Sequence, residues 1–438
     1  MRNRPFADGL PPGWHTSPLG RLVDIRLGKM LQPSPASASD SLVPYLNAKT
    51  VRWDRVDVGA LPEMWASPRD LEVYSVQTGD LLVCEGGQVG RSSVLESAPE
   101  KTIVQNSVHR LRARSGVSLG YVRYALYALD DSGWFDVLCN RATIAHLTRE
   151  KLASLRVPSP PLENQHRIAD FLDRETEKID ALVTKKQRLI ELLQEQRTAL
   201  ISHAVTKGLD PDVPMKESGA WAVDQVPRHW QTPNLSLCCS LLTDGTHAPP
   251  AWAPGDCRLL SARNIVAGEF VVRDDDRTMS EEDARMMPAS CIVRRGDVLL
   301  TIVGATTGKT AVAGEVCDVA VQRSLAIIRP RESMAEPDYL HLWLQSHLVQ
   351  QSIRRIVNQY SAQPGIYLQD VGALPTALPP LDEQREILTR VHPELSRVKS
   401  LTSAIWTQVT RMQEYCSALI TAAVTGQIDV RAYRGEAS

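Results

Sequence analysis

The chain states one pattern twice, and any fold it adopts has to be built twice. PLENQHRIADFL at Pro161 to Leu172 returns as PLDEQREILTRV at Pro380 to Val391. LPPGW, ending at Trp14, is echoed by QVPRHW, ending at Trp230; GDLLV from Gly79 by GDVLL from Gly296; VQNSVHRLRA from Val104 by VQRSLAIIRP from Val321. GYVRYAL from Gly120 and DYLHLWL from Asp338 match in the same way, as do HAVTKGLD from His203 and AAVTGQID from Ala422. The offsets stay between 216 and 219, so the chain is a tandem duplication of one module of about 215 residues.

Each module has two parts of different periodicity. Residues 1–157 and 209–378 carry short β-rich runs such as DLLVC and DVLLTIV, punctuated by Gly and Pro, with a few helical stretches such as YVRYALYAL. Residues 158–208 and 379–438 read as long helices opened by prolines, which suit the start of a helix and not its interior. In the first helix Ile168, Leu172, Glu175, Ile179, Leu182, Lys186, Leu189, Leu193, Gln196 and Leu200 alternate steps of four and three. In the second, Ile387, Val391, Glu394, Val398, Leu401, Ile405, Gln408, Met412, Tyr415 and Leu419 keep the same register. Two matched heptad seams point to a coiled coil between the helices, with an amphipathic helix packed on its own domain as the other reading.

Connectivity selects the direction of pairing. A helix from Glu163 to Val205 is about 65 Å long, and a globule of this size is about 40 Å across, too short to carry the chain back to the start of a parallel partner. The expected fold is therefore α+β: two β-rich domains separated by a long antiparallel two-helix coiled coil, a pseudo-two-fold tandem repeat. Pro393 lies inside the second helix and is expected to kink it or delay the start of its coiled coil.

Composition excludes some classes and leaves others open. The longest apolar runs fall short of a membrane span, and MRNRPFADGL lacks the apolar stretch of a secretion signal, so a cytoplasmic protein is expected. Eight cysteines, Cys317 among them, form no CxxC pair and no zinc-type spacing. The formal net charge is −2, but it is unevenly spread: residues 1–157 hold 19 Lys and Arg against 16 Asp and Glu, net +3, and residues 209–378 hold 15 against 20, net −5. The second domain would need an asymmetric surface, or partners that supply phosphate contacts, to hold a nucleic acid.

No catalytic motif survives scrutiny. VGATTGKT at Val303 to Thr310 imitates a phosphate-binding loop, yet Gly304 and Gly308 are one residue too close, and the matching CEGGQVGRSS has no Gly-Lys-Ser/Thr. Both stretches are read as Gly-rich turns between strands, with Arg91 and Lys309 at equivalent tips. No GxGxxG, HExxH or GxSxG is present. The polar loop residues that remain are candidates for DNA contact. LNAKTV corresponds to LSARNI, placing Lys49 beside Thr50 and Arg263 beside Asn264. Cations can grip guanine edges or phosphates and Asn can take adenine, although a surface salt bridge is the competing fate of each cation. Thr246 and His247 of DGTH, with Lys29 and Arg52, complete the set; for His247 a solvated turn histidine is the other reading.

The helix-opening stretches Pro160-Pro161-Leu162-Glu163-Asn164-Gln165 and Pro379-Pro380-Leu381-Asp382-Glu383-Gln384, each behind a variable β-rich domain, resemble those of the specificity subunit of type I restriction-modification systems. ATIAHLTREKLASLRVPSPPLENQ and DGTH with SARNI strengthen the likeness, which covers essentially the whole length. The resemblance implies target-recognition domains at 1–157 and 209–378 and conserved helical spacers at 158–208 and 379–438. It implies that each domain reads half of a split, asymmetric site in double-stranded DNA, with the spacer setting the gap. It implies a non-catalytic chain that docks two methyltransferase subunits, and restriction subunits where they exist. S-adenosylmethionine, ATP and Mg would be bound by those partners and no cofactor or metal by this chain. Gln165, Ile168, Leu172, Ile179, Leu182, Leu189, Leu193, Gln384, Ile387, Val398, Leu401, Ile405, Met412 and Leu419 are the expected coiled-coil and subunit-interface positions. A pseudo-dimeric coiled-coil adaptor that joins protein partners without reading DNA is the alternative.

Overall fold

The structure, a computed structural model, describes the 438-residue chain apart from residues 1–5, 7–8, 140–145, 221–222, 249, 317–318, 360–364 and 433–438. The chain is α+β and falls into two compact units, Met1–Lys186 with Thr407–Ser438, and Gln187–Trp406. Each unit holds one β-rich domain and a part of both long helices, Leu162–Lys207 and Leu381–Val424.

In the first unit β1 (His15–Pro18) pairs with β9 (Arg156–Ser159). A four-stranded sheet has the order β2 (Val23–Leu27), β8 (Val108–Ala113), β5 (Leu81–Cys84), β6 (Ser92–Val94). A three-stranded one runs β4 (Glu63–Ala66), β3 (Ser41–Leu46), β7 (Ile103–Val104). The central strand β5, LLVC, is buried at every residue, as expected for an apolar run covered on both faces. The helix Leu119–Asp131, N-capped by the Ser118 hydroxyl, covers this layer with Tyr121, Val122, Ala125, Leu126 and Leu129.

The second unit repeats the plan. After a hairpin of β10 (Met215–Ala220) and β11 (Val223–Pro227), one sheet has the order β12 (Cys239–Asp244), β20 (Leu325–Pro330), β17 (Val298–Thr301), β18 (Thr310–Val312), β15 (Glu269–Phe270), β14 (Ile265–Val266). The other runs β16 (Thr278–Met279), β13 (Cys257–Leu260), β19 (Val319–Val321). The helix Pro337–Gln345 covers this core with Tyr339, Leu340 and Trp343.

Three side-chain devices recur at equivalent positions and explain the repeated words of the sequence. Asp80 and Asp297, the Asp of each Gly-Asp pair, are 3% and 0% exposed and take a two-point ion pair from Arg112 and Arg329, with Nε to Oδ1 at 2.7 Å in both. Gly79 and Gly296 precede them at φ 90° and 84°, a turn that favours glycine. Gln165 and Gln384 are buried, and each holds the start of its long helix. The Gln165 Oε1 accepts from the Ser118 amide at 3.0 Å while its Nε2 donates to the Pro160 carbonyl at 2.8 Å. The Gln384 Oε1 accepts from the Glu336 amide at 2.9 Å while its Nε2 donates to the Pro379 carbonyl at 2.9 Å and the Met334 carbonyl at 2.8 Å. Finally, the Tyr121 hydroxyl donates to the Val424 carbonyl at 3.1 Å, and Tyr339 to Val205 at 3.5 Å and Ala377 at 2.8 Å.

The antiparallel sense of the helices is visible within each unit. In the first, Ile168, Phe171 and Leu172 share a core with Leu419, Ile420, Ala423 and Val424, and farther along Lys186 donates to Gln408 at 2.6 Å. In the second, Ile201, Ala204 and Val205 share a core with Ile387 and Val391. The stripe differs from the expected one at alternate positions. Ile168, Leu172, Ile179, Leu193, Ile387, Val391, Val398, Ile405 and Leu419 are buried and Met412 is half-buried. Leu182, Leu189 and Leu401 are instead 45%, 45% and 44% exposed, and Glu394, Gln408 and Tyr415 are exposed too; Val183, Ile190 and Val409 take the buried places one residue later. A residue one step along a helix lies about 100° around it, so the buried stripe keeps a seven-residue repeat through positions the leucines had obscured. The second helix is continuous from Leu381 to Val424, with Pro393 on its exposed side.

Within the second unit His341 lies on the covering helix, with Nδ1 3.1 Å from the Thr310 hydroxyl and Nε2 beside the Gln345 amide. Burial first, then Arg197 and His392, push this imidazole down to about 4. The unfolded chain, titrating near the ordinary ~6.5, therefore takes up the proton first as pH falls. Stability from neutral His341 is fully present above about pH 6.5 and is lost progressively towards pH 4, by about 3 kcal/mol in total. Urea titrations at pH 7.5 and 4.5 should show this loss, and His341→Gln should reduce it. Replacing Gln384 by Ala orphans a buried amide and two carbonyls, and should lower the unfolding free energy by about 3 kcal/mol in the same titration at pH 7.5.

Candidate nucleic-acid interface

The loops singled out in the sequence converge in each unit on one backbone arrangement. Strands β3 and β7 run parallel, with Leu46 opposite Val104, and β13 and β19 do the same, with Leu260 opposite Val321. In the first unit the Lys29 amide donates to Val104 at 2.8 Å, Asn106 to Lys29 at 2.9 Å and Gln105 to Leu46 at 2.9 Å. In the second, Thr246 donates to Val321 at 2.9 Å, Arg323 to Thr246 at 3.1 Å and Gln322 to Leu260 at 2.8 Å. A serine closes each net, Ser107 accepting from the Ala48 amide at 3.0 Å and Ser324 from the Ala262 amide at 3.2 Å.

The segments approach so closely that only glycine fits before the crossing residue. A Cβ on Gly28 would overlap the backbone of Val104 and Gln105, and one on Gly245 that of Val321 and Gln322. Adjacent to these nets, the Gly-rich stretches form antiparallel hairpins, β5 to β6 and β17 to β18. VGATTGKT thus joins two strands, where a phosphate-binding loop would lead from a strand into a helix.

The frame is shared, but the side chains it carries have separate fates. Lys49 and Arg52 in the first unit and Lys309 in the second are exposed. Lys29 is 14% exposed and paired with Asp70 at 2.9 Å, which makes it a bridge to the helix Pro68–Tyr74. Arg91 reaches the Ala48 carbonyl and Gln88, tying its hairpin to the turn at 47–50. The Thr50 hydroxyl donates to the Asn47 carbonyl at 2.8 Å, and Thr246 donates to Ala248 at 3.2 Å, so both hydroxyls shape their own turns. His247 pairs with Asp244 at 2.6 Å while its side chain stays 68% exposed.

Arg263 and Asn264 depart most from a base-reading role. Asn264 is fully buried: its Oδ1 accepts from the Ser261 amide at 3.0 Å, and its Nδ2 donates to the Val271 carbonyl and to Asp276, both at 2.8 Å. Its polar atoms are engaged within the fold and cannot take adenine. Arg263 pairs with Asp276 at 2.6 Å and Asp275 at 3.0 Å. Burial alone would raise the Asp276 carboxyl, but Asn264, the Arg273 amide and Arg263 outweigh it and hold the group below its ordinary value. The Asp-rich stretch DDDR thus closes the LSARNI turn from behind.

Gln105, Asn106, Gln322 and Arg323, which sequence reasoning passed over, lie at the centre of the nets. Their signal was present in the repeated VQNS and VQRS, which mark a shared crossing with a variable third residue. Among the described residues no group of three or more His, Cys, Asp or Glu could hold a metal ion, and no helix is long and apolar enough to cross a membrane. Cys317 lies outside the described residues.

Two copies of a loop-bearing β-rich module are joined to long helices, and residues 11–192 match the family model of the type I restriction modification DNA specificity domain. The type I restriction enzyme EcoBI specificity subunit of Escherichia coli is 26% identical over 65% of this chain, a match that spans 61% of that subunit. The EcoKI specificity subunit of Escherichia coli strain K12 is 20% identical, over 96% of this chain and 90% of that subunit. A solved chain described under the structural basis of complex assembly and conformational transition of the type I R-M system shares the fold at a TM-score of 0.71, with 16% identity, over 96% of this chain and all of that one. The HsdS subunit from Thermoanaerobacter tengcongensis gives a TM-score of 0.50 at 18% identity, over 96% and 99% of the two chains. Residues 11–192 thus resemble a type I restriction modification DNA specificity domain, and the chain as a whole is similar to type I specificity subunits along most of its length.

The exposed and the buried candidates should respond differently to substitution. Asn264→Ala leaves a buried carboxylate and amide short of partners and should destabilise the chain by about 2 kcal/mol. Lys49→Ala and Lys309→Ala should leave stability within about 0.5 kcal/mol and lower DNA affinity. Thermal melts beside gel-shift titrations separate the two behaviours.

Proposed function

We propose that this chain is the DNA-recognition subunit of a type I complex in which each module reads one half of a bipartite, asymmetric site. The observation that carries the reading is the repeated backbone net with diverged tips. The hydrogen bonds, the obligatory glycine and the serine lock are the same in both units, while Lys29 answers to Thr246, Asn106 to Arg323 and Lys49 to Arg263. A constant backbone frame whose turn residues differ between the copies suits two related sites of different sequence. A pseudo-two-fold protein meets the two-fold symmetry of the duplex backbone, and unequal halves make the site non-palindromic.

The chemistry is assigned to partners. Two modification subunits would dock on this chain, bring S-adenosylmethionine and methylate adenine; restriction subunits, where encoded, would use ATP and Mg. Phosphate neutralisation by those subunits also answers the −5 balance of residues 209–378.

A long-read map of modified adenines in cells with and without the gene tests the role. Loss of one split, asymmetric motif is the expected result, and exchanging residues 209–378 for those of another specificity subunit should alter only one half of it. An unchanged map in cells that express the modification subunits would count against the reading.

A further inference from the structure

We propose that Trp252 is an aromatic wedge that stacks into a base step of the half-site read by the second module, an inference that rests on the DNA-reading role above. Its side chain is 75% exposed, although indole is among the side chains whose burial stabilises a fold most. Isolated exposed apolar residues are ordinary, so exposure alone decides nothing. What distinguishes this residue is how firmly the chain around it is held.

The segment is pinned on both sides of the indole. Arg277 donates to the Pro250 carbonyl before it. After it, the Ala253 carbonyl accepts from the Thr278 hydroxyl at 2.7 Å, and the Ala253 amide donates to the Thr278 carbonyl at 3.3 Å. Two residues on, Gly255 passes so near the Met279 carbonyl that a Cβ would collide with it. Three hydrogen bonds and one close backbone approach, all to residues 277–279, hold the segment that carries the indole before any ligand arrives, and less conformational freedom remains to be lost on binding.

The place in the chain points to DNA. The segment starts from Thr246 and His247 at the backbone net and ends at β13, whose last residue leads into the Ser261–Asn264 turn. Residues 209–378 carry 15 cationic against 20 acidic side chains, so attraction to phosphate is the weaker resource here. An apolar ring entering a base step draws on stacking, which does not depend on net charge.

The first module has a counterpart at the corresponding point. Just after Gly28, Met30 and Leu31 are 75% and 53% exposed. The turn beyond them is fastened by Asp40, which accepts from the Gln32 side chain at 2.9 Å and the Ala36 amide at 2.8 Å. Both modules thus follow their obligatory glycine with a fastened loop bearing an exposed apolar tip, of a different residue type in each.

The test uses the full chain co-purified with its modification subunits and the duplex motif found by adenine mapping. With 5-iodouracil placed in turn at each thymine, irradiation should cross-link a peptide containing Trp252, only from positions in the second module's half-site. Trp252→Ala should weaken binding of the specific duplex about tenfold or more, Trp252→Phe should retain most of it, and neither should shift the melting temperature. A wild-type complex that binds no duplex selectively would sink the DNA-reading role and this inference with it. Selective binding by the wild type with no cross-link and no change in Trp252→Ala would overturn the wedge alone. Loss of the modification subunits from Trp252→Ala, with DNA binding otherwise intact, would assign the indole to a protein contact and equally overturn it.

Discussion

Everything else in this chain depends on two buried glutamines. Gln165 and Gln384 tie the first turn of a long helix to the N-terminus of the helix covering the adjacent β domain, using an amide that both donates and accepts. A buried amide satisfied at both ends fixes position and angle together, whereas an apolar contact would allow rotation about the helix axis. The recurring Pro-Pro-Leu-x-x-Gln is therefore a joint. The prolines set the direction in which the helix starts, the glutamine locks it, and Tyr121 and Tyr339 fasten a last-turn carbonyl of the other long helix onto the same covering helix.

From that joint the remaining order follows outward. A located covering helix locates the sheets beneath it, and the Asp80–Arg112 and Asp297–Arg329 pairs hold the turn that launches each central strand. Removing either arginine would leave a buried carboxylate without its partner, which costs more than the pair itself stabilises. Residues at the tips of the backbone nets lie outside these constraints. That division between locked interior and free rim lets one module be duplicated and its two copies diverge.

Much of the fold was legible because duplication acts as its own control. A repeated Gly-rich stretch that lost its lysine in one copy could be read as a hairpin, and the hairpins β5–β6 and β17–β18 are present. The seam was half legible. Leucine at 182 and 189 suggested buried positions that Val183 and Ile190 occupy, because a seven-residue period cannot tell which of two adjacent apolar residues faces inward. The site was least legible. Lys29 finds Asp70 across 41 positions, and Asn264 is drawn inside by Asp276. Such pairings depend on tertiary placement, and each converts a plausible reader of bases into a structural residue.

The division into compact units has a consequence for synthesis. The second unit, 187–406, is one uninterrupted stretch, but the first combines residues 1–186 with 407–438. Chains emerging from the ribosome ordinarily complete their domains from the N-terminus onward. Here the order is inverted. The unit encoded second has all its residues first, and the one encoded first must wait with Ile168, Phe171 and Leu172 uncovered until Leu419, Ile420 and Val424 emerge. A truncated product would therefore lose the integrity of its beginning as well as its end, and would be recognisable to quality control by an apolar strip near its N-terminal domain.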